Sequence, residues 1–597
     1  MHLRLILALL LLLTSRTQAQ ELLVNEKIKN LTDVINDGVI ELETSGGVAP
    51  YTYKWSNQNT ALTSNKSERL TEGVTYSVLI TDAEGNSINK EYVVPAKTMA
   101  ERFNGTFTPI VNSVASVLFW DPFAAIGLHD PLVYKDGMPV LHPNGDPVKN
   151  GIPFIVVWLG IGALFFTLRM GFINLRGFRH GLQLARGKYS DPDAPGQITH
   201  FQALATAVSA TVGLGNIAGV AVAVSVGGAG ATLWMIVAGF LGMTSKFVEC
   251  VLGVKYREIT ADGRVFGGPM SYLEKGFAKR NKKKLGKILA IVFAILCVAG
   301  SFGGGNMFQA NQSFEAVAGQ IPLLEGKGFL FGILMAIIVA TVILGGIKSI
   351  VKVTGKIVPF MAMLYILACL TVIFCNFNNL GMAFQAIIDG AFSSDALKGG
   401  VIGVLIIGFQ RAAFSNEAGV GSAAIAHSTV KTNHPASEGF VALIEPFLDT
   451  IVICTLTALV IIFSGNHELV GMGGAQLTSD SFASVISWFP AVLSLAIFLF
   501  AFSTMISWSY YGMRAWTYLF GKSKRTETVY KILFLFFVVL GSSISLGAVL
   551  DFSDMMILAM AVPNMIGLYV MSGEVRQDMK DYLKKLKNGE LYSKDKS

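Results

Sequence analysis

The sequence predicts an all-α polytopic membrane protein with a small β domain at its N-terminus. Three observations predict it. Of 597 residues, 52% are hydrophobic and only 15% charged, where soluble proteins carry about a quarter charged residues. Apolar runs long enough to span a bilayer recur from Phe154 to Met571. Two of those runs are interrupted by glycine where a membrane helix should be continuous: Ala207-Val-Ser-Ala-Thr-Val-Gly-Leu-Gly-Asn-Ile-Ala-Gly219 and Gly408-Phe-Gln-Arg-Ala-Ala-Phe-Ser-Asn-Glu-Ala-Gly-Val-Gly-Ser422. Backbone groups freed inside a bilayer cost several kcal/mol each unless something binds them.

The N-terminus reads as an address. His2 and Arg4 precede the apolar stretch Leu5–Leu13, and small residues follow from Thr14 to Ala19. Residues 1–19 are expected to be a secretory signal peptide, too short to span, which places the next segment in the periplasm. Residues 21–96 are expected to form a periplasmic β-sandwich. Alternation shows in Val39-Ile-Glu-Leu-Glu and Tyr76-Ser-Val-Leu-Ile, and turn signals sit at Gly46-Gly47 and Glu84-Gly85-Asn86. Residues 97–150 read as a connector with an interfacial segment (Val111–Phe123) and a hairpin over 131–147 signalled by Asp136-Gly137 and Asn144-Gly145.

The membrane domain is expected over 151–575 and a cytoplasmic tail over 576–597. Eleven spans are counted: Phe154–Ile173, Phe201–Val226, Thr232–Val254, Ile288–Gly303, Phe329–Leu344, Ile357–Phe374, Gly400–Ile425, Phe440–Phe463, Ala491–Tyr510, Ile532–Leu550 and Met555–Met571. With the N-terminus outside, the inner loops hold Arg176, Arg179, Arg186 and Lys188, then Lys279 to Lys284, Lys348 to Lys356, Lys522 to Arg525, and the lysine-rich tail. The outer loops hold only Lys327 and Lys398. That asymmetry follows the positive-inside rule and explains the net charge of +7 without nucleic acid. The broken segments are spans two and seven. Five spans separate them and the topology inverts between them, which predicts a five-plus-five inverted repeat preceded by one extra helix.

An unwound turn at Thr211–Asn216 offers N–H donors and a helix dipole to a carboxylate, and the preceding carbonyls suit a hard cation. The plainer alternative is close helix packing through small residues. The five cysteines lie in or beside apolar spans without metal-ligand spacing and read as small hydrophobes. Of the charged residues near spans, Lys246, Glu249, Arg411, Glu417, Glu445 and Asp449 are candidates for gate ion pairs, with Arg411 and Glu417 one candidate pair at the break. Asp449 is the candidate for a second cation or proton site. No HExxH, GxSxG, Walker loop or metal cluster is present, so an enzyme is not expected, and His427 and His434 read as solvated loop residues.

Several motifs carry a family resemblance. Thr211-Val-Gly-Leu-Gly-Asn-Ile-Ala-Gly-Val-Ala221, Gly227-Gly-Ala-Gly-Ala-Thr-Leu-Trp-Met235, Gly242-Met-Thr-Ser-Lys-Phe-Val-Glu249, Gly345-Gly-Ile-Lys-Ser349, Phe414-Ser-Asn-Glu-Ala-Gly419 and Trp508-Ser-Tyr-Tyr-Gly512 resemble the alanine-or-glycine:cation symporter family. The resemblance covers about Phe154 to Gly573, with Ala229 where the family usually has Pro. It implies the leucine-transporter fold and Na⁺- or H⁺-coupled symport of a small neutral amino acid such as alanine or glycine. Na⁺ would be the coupling ion, with no other metal or cofactor. The implied cation site joins Ser209, Val212 and Phe500 carbonyls to the Ser503 and Thr504 hydroxyls, although back-bonding of those hydroxyls to their own helix is the alternative. The expected amino-acid pocket comprises Thr211, Gly213, Gly215, Asn216, Phe302, Asn306, Gln309, Phe409 and Phe414. Separately, Ser45-Gly-Gly-Val-Ala-Pro-Tyr-Thr-Tyr-Lys-Trp-Ser-Asn57 resembles the SprB-like repeat of surface adhesins, with no partner implied. A membrane-embedded sensor that reads amino acids through the β domain is the competing function.

Overall fold

A computed structural model describes residues 23–30, 38–57, 64–71, 73–94, 112–128, 130–132, 134–135, 138–139, 151–392, 400–466, 474–543 and 546–591. The expected signal peptide, the Asn144-Gly145 turn and Lys398 lie outside the described residues. The chain divides into two compact units, Met1–Pro109 and Ile110–Ser597.

The first unit holds six strands: β1 (Leu23–Asn30), β2 (Gly38–Ser45), β3 (Thr52–Trp55), β4 (Lys66–Leu70), β5 (Thr75–Thr81) and β6 (Ser87–Val93). They form two antiparallel sheets, ordered β1-β2-β4 and β3-β5-β6. In β3 and β5 every second residue turns inward, as a half-buried strand requires. Ile40, Leu42 and Leu70 of one sheet meet Trp55, Tyr76, Val78, Ile80 and Tyr92 of the other in one core. Asp82 fastens the β5–β6 turn by accepting the Glu84 and Asn86 backbone N–H groups at 3.0 and 2.8 Å.

In the second unit, residues 112–118 are helical, where the interfacial segment is expected. β7 (Tyr134–Lys135) pairs antiparallel with β8 (Met138–Pro139); the Asp136-Gly137 turn signal between them lies outside the described residues. Helices follow. They are α1 (Phe154–Arg169), α2 (Phe178–Ala185), α3 (His200–Thr211), α4 (Ala218–Gly227), α5 (Ala231–Lys255), α6 (Pro269–Ala278) and α7 (Lys283–Phe302). A further hairpin, β9 (Glu258–Ile259) and β10 (Val265–Phe266), links α5 to α6. Next come α8 (Phe308–Ala318), α9 (Gly328–Ile343), α10 (Gly346–Cys375), α11 (Leu380–Ala391), α12 (Gly400–Asn416) and α13 (Ala423–His427). The remainder are α14 (Pro435–Ala442), α15 (Thr455–Ser464), α16 (Gly474–Ala483), α17 (Phe489–Phe520), α18 (Lys524–Gly541) and α19 (Leu546–Lys587).

Six of the described helical stretches are long and apolar enough to cross a membrane, or seven if the bent pair α3–α4 is one span. The apolar helices α1, α9 and α12 are shorter than that test requires. The protein is therefore a multi-pass membrane protein.

Three departures from the sequence reading have physical causes. Span four was expected to stop at Gly303, yet α7 runs through a π-helical turn, Gly303–Met307, into α8. The wider turn keeps the backbone bonded where three glycines would otherwise end the helix. Span ten was expected to reach Leu550, but α18 ends at Gly541 and Leu546 already opens α19. Two apolar helices joined by a short link are one run to a hydropathy reading. Helices α6, α11 and α16 were not expected at all, because none is an apolar run of spanning length.

Small residues set how closely the helices approach, as in other membrane bundles. A β-carbon on Gly230, at the start of α5, would lie 2.1 Å from the Gly390 carbonyl carbon in α11. One on Gly355, inside α10, would meet nothing within 4 Å. Gly230→Val is therefore expected to lower the thermal-melt midpoint, at a cost of ~1–3 kcal/mol or more from overpacking. Gly355→Ala is expected to hold or raise it, by up to ~1 kcal/mol from helix propensity. Melts of the two detergent-purified variants beside the parent check both signs.

Candidate functional site

Both glycine-broken segments are unwound. α3 closes at Thr211, and Val212 turns extended with ψ 91°. Gly213 stays extended, Leu214–Asn216 make one 3₁₀ turn, and α4 starts at Ala218 after a bend of 58°. Asn216 folds back to steady the break: its Oδ1 accepts the Gly213 N–H at 2.9 Å. The second break follows Asn416. Glu417, Gly419 and Gly421 all have positive φ (53°, 86° and 96°), and helix resumes at Ala423. Glycine carries the left-handed turns without strain, and the Asn416 side chain caps the break by accepting the Ala418 N–H at 2.9 Å.

The breaks touch. A β-carbon on Gly215 would lie 3.4 Å from Ser415 Cα and 3.5 Å from the Phe414 ring. Beneath them stands Asp449, fully buried, in a π-helical stretch Phe447–Cys454 between α14 and α15. Its Oδ1 accepts from Asn216 Nδ2 at 2.7 Å. Its Oδ2 accepts from Ser415 Oγ and from Thr450 Oγ1, each at 2.8 Å. Asn216 Nδ2 also donates to the Asp449 carbonyl at 3.1 Å, and Asn416 Nδ2 donates to Thr450 Oγ1 at 2.9 Å. One carboxylate thus takes a donor from the first unwound turn and another from the helix end that leads into the second.

The residues expected at a cation site converge where α3 meets α17. The Ser209 carbonyl accepts from Thr504 Oγ1 at 3.1 Å and lies 3.5 Å from Ser503 Oγ. Ser503 Oγ reaches the Phe500 carbonyl at 3.0 Å, and Ser209 Oγ donates to the Ser503 carbonyl at 2.7 Å. The set is oxygen-rich and buried. Back-bonding and cross-helix bonding coexist here: Ser503 does both, and Thr504 reaches across. Val212 caps α3 one turn further on.

The expected pocket residues separate into two groups. Gly213, Gly215, Asn216, Gln309 and Phe414 come together. A β-carbon on Gly213 would lie 2.9 Å from Thr504 Oγ1 and 3.5 Å from Gln309 Oε1, an atom without a hydrogen-bond partner. The Thr211 hydroxyl instead bonds back to the Ala207 carbonyl at 3.3 Å. Phe302 faces α18, stacking on Tyr530 and Phe537 with centroids 5.5 and 4.5 Å apart. Asn306 also faces α18, donating to the Phe534 carbonyl at 2.7 Å. Phe409 turns toward α1, 3.5 Å from a β-carbon on Gly160. Helical periodicity gives spacing along a helix but not which neighbour each face meets.

Sequence reasoning passed over four residues near the breaks. Phe308 meets Phe414 edge-on at 6.2 Å. Trp508 Nε1 donates to Glu417 Oε1 at 3.2 Å, and its ring packs where a β-carbon on Gly305 would be. Cys454 Sγ lies 3.4 Å from both Asn216 Nδ2 and Ser415 Oγ. Asn564 of α19 donates to the Gly419 carbonyl at 2.8 Å and to Glu249 at 3.3 Å. The one available signal was tryptophan and asparagine inside otherwise apolar spans.

A buried charged layer adjoins the second break. Lys246 Nζ lies 2.9 Å from Glu445 and 3.7 Å from Glu249. His427 Nδ1 lies 2.6 Å from Glu438, which also bonds His200. The expectation of a solvated His427 is corrected: it is fully buried, because Glu438 from α14 folds over it.

The model of the Sodium:alanine symporter family matches residues 141–596, and that of the SprB repeat matches residues 35–60. The sodium/alanine symporter AgcS of Methanococcus maripaludis is 43% identical over 73% of this chain and 95% of its own length. The amino-acid carrier protein AlsT of Bacillus subtilis is 36% identical over 73% of this chain and 92% of its own. A solved structure, MhsT in complex with L-phenylalanine, aligns with TM-score 0.47 and 16% identity, covering 65% of this chain and 93% of that one.

Removing the Asp449 carboxylate strands buried donors on both breaks. Asp449→Ala is expected to cost ~2–5 kcal/mol of thermal stability, the range for leaving buried polar partners unpaired. Combined with Asn216→Ala, the loss is expected to fall well short of the sum of the two single losses. Melts of the single and double variants check this, and strict additivity would show that the two side chains are not coupled.

Proposed function

Because this chain belongs to the sodium:alanine symporter family, we propose that it is a secondary active transporter that couples Na⁺ entry to uptake of a small neutral amino acid such as alanine or glycine. The observation that carries this reading is the meeting of two unwound helices over one buried carboxylate. Such broken helices at a bilayer midplane offer bare amides to a carboxylate and bare carbonyls to a cation. The names of the relatives, a sodium/alanine symporter and an amino-acid carrier, support the same assignment.

In this proposal the chain crosses the membrane eleven times, as one leading helix and a five-plus-five inverted repeat of the leucine-transporter kind. The β domain and α1's N-terminus are periplasmic, and the tail after α19 is cytoplasmic. The substrate carboxylate sits at the first break, between Gly213 and Gln309, whose free Oε1 is available to the substrate ammonium. Phe414 and Phe308 limit the side chain that fits, since a small closed pocket excludes larger ones by steric cost. Na⁺ is a second substrate, held by oxygens of Ser209, Val212, Phe500, Ser503 and Thr504. Asp449, whose oxygens already accept three side-chain donors, ties the two breaks together; a second cation there would have to displace one of them.

Transport follows by alternating access. A zwitterion carries no net charge, so each Na⁺ moves one positive charge inward. The membrane potential supplies ~2.3 kcal/mol per charge per 100 mV, enough alone for roughly 50-fold accumulation at 1.4 kcal/mol per decade. Cation and carboxylate in adjoining sites each raise the other's affinity, as linkage requires.

Labelled alanine uptake into proteoliposomes, with and without an inward Na⁺ gradient, tests the reading. Na⁺-dependent accumulation and counterflow exchange are expected; binding without exchange would instead indicate a sensor, and indifference to Na⁺ at fixed pH would shift the coupling to protons. Thr504→Val is expected to lower the apparent Na⁺ affinity by ~10-fold or more, about 1.4 kcal/mol for one lost coordinating oxygen. Gly213→Leu is expected to abolish uptake while leaving membrane insertion intact, and full uptake in that variant would remove the first break from the site.

A further inference from the structure

Near its C-terminal end α17 carries a buried cation, Arg514. Arg514 lies ten residues beyond Thr504, about 15 Å along the helix at 1.5 Å per residue. It is only 6% exposed. Its guanidinium is sandwiched by aromatic rings, 4.5 Å from the Phe266 centroid and 4.9 Å from that of Tyr510. Ring faces satisfy the faces of a guanidinium and leave its in-plane N–H groups to find acceptors. They have not found them: Arg514 Nε and Nη1 are buried without a hydrogen-bond partner.

The neighbouring charges are already paired. Phe266 is flanked by two further cations, Lys522 at 4.3 Å and Arg264 at 5.7 Å. Lys522 is held by Glu258 at 2.9 Å and Arg264 by Asp262 at 2.6 Å. Glu274 is taken by Lys287 at 3.1 Å and by the Tyr518 hydroxyl at 2.7 Å. Among the described residues no carboxylate reaches Arg514. Yet Arg514 borders a cavity of about 290 Å³, lined also by Gly267 and Ser271 at the start of α6 and by Thr517 and Lys522. The positive end of the α6 dipole therefore faces the same space.

A buried guanidinium without a counter-charge is costly, and the adjoining cavity, whose walls carry Arg514, Lys275 and Lys522 against Glu258 and Glu274 and so keep one positive charge in excess, is where that charge would sit. We propose that the Arg514 cavity is an anion-binding site, separate from the helix breaks, that takes a small oxyanion, a carboxylate or phosphate, from the side of the membrane bearing Lys522, Lys524 and Arg525. The shared chemistry is an oxygen acceptor for the Arg514 guanidinium. The bearer is either a soluble anion or the phosphate of a lipid headgroup. Occupancy would lock α6 and β10 against α17, so the site stabilises the conformation in which those three elements meet.

The test is a thermal melt of the full-length protein in a zwitterionic detergent at constant ionic strength. The probes are inorganic phosphate, acetate, and micelles doped with phosphatidylglycerol or with phosphatidylcholine as the zwitterionic control. At least one of the first three is expected to raise the melt midpoint of the parent by ~3 °C or more near saturation, as ligand linkage requires. A shift with phosphate or acetate assigns a soluble anion; a shift with phosphatidylglycerol but neither soluble anion assigns a headgroup. Arg514→Gln is expected to lose the shift. Should that variant fail to fold, Ser271→Asp places a tethered carboxylate on the cavity wall; it is expected to melt at or above the parent and to stop responding to the probe. No shift in the parent, or an undiminished shift in either folded variant, overturns the proposal.

Discussion

The Asp449 carboxylate is the constraint on which both helix breaks depend. An ionised carboxylate deep in an apolar bundle is tolerated only when its oxygens are hydrogen-bonded. Here the donors come from two segments far apart in sequence, Asn216 in the first unwound turn and Ser415 in the last turn of α12, just before the second break. Neither segment can shift without stripping a donor from the shared acceptor. The π-helical stretch around Asp449 belongs to the same constraint, since a widened turn re-aims the side chain that an α-helical register would send elsewhere.

Helix α17 makes a second bridge of the same kind. Thr504 and Trp508 are four residues apart and so share a helix face. Thr504 bonds the Ser209 carbonyl just before the first break, and Trp508 donates to Glu417 inside the second. A helix that holds both breaks by one face is well placed to report a change at one to the other. Packing allows the contact only because Gly305 has no side chain where the Trp508 ring lies. Asn564 adds a third hold on the second break from α19, next to Pro563, where the helix has one backbone donor fewer.

What the sequence made legible was local. Gly213, Gly215, Gly419 and Gly421 announce broken helices because glycine's freedom is a property of the residue itself. Asp449 was legible as a charge in an apolar run, but not its partners, which come from segments roughly 30 and 230 residues away along the chain. The convergence of Ser209 with Phe500, Ser503 and Thr504 came from family likeness rather than from spacing. Phe302, Asn306 and Phe409 show the limit: each lies beside glycine in its helix, at the π-helical turn or ahead of the second break, yet faces α18 or α1. An aromatic residue packs equally well on either side of a bundle helix, so only the tertiary arrangement decides. His427 was misread for the same reason, since Glu438 and Glu445 lie on another helix.

The charged layer beside the second break is hard to justify as a stabilising device. Burying Lys246 with Glu445 and Glu249, and His427 with Glu438, gains little over apolar packing, because desolvation offsets the attraction. Such groups do carry a strong condition, however. While dry, they hold α5, α13 and α14 together, because pulling one partner away leaves a bare charge behind. Once water enters, the same pairs weaken toward the value of surface ion pairs, which is close to zero. A layer of this kind separates a closed state from a hydrated one sharply, with few intermediates. In the proposed cycle that is the property a gate needs. Lys246 and Glu249 lie on α5, and Glu249 shares Asn564 with the Gly419 carbonyl. Hydration of the layer would therefore loosen one of the three holds on the second break, and through Ser415 bear on Asp449 itself.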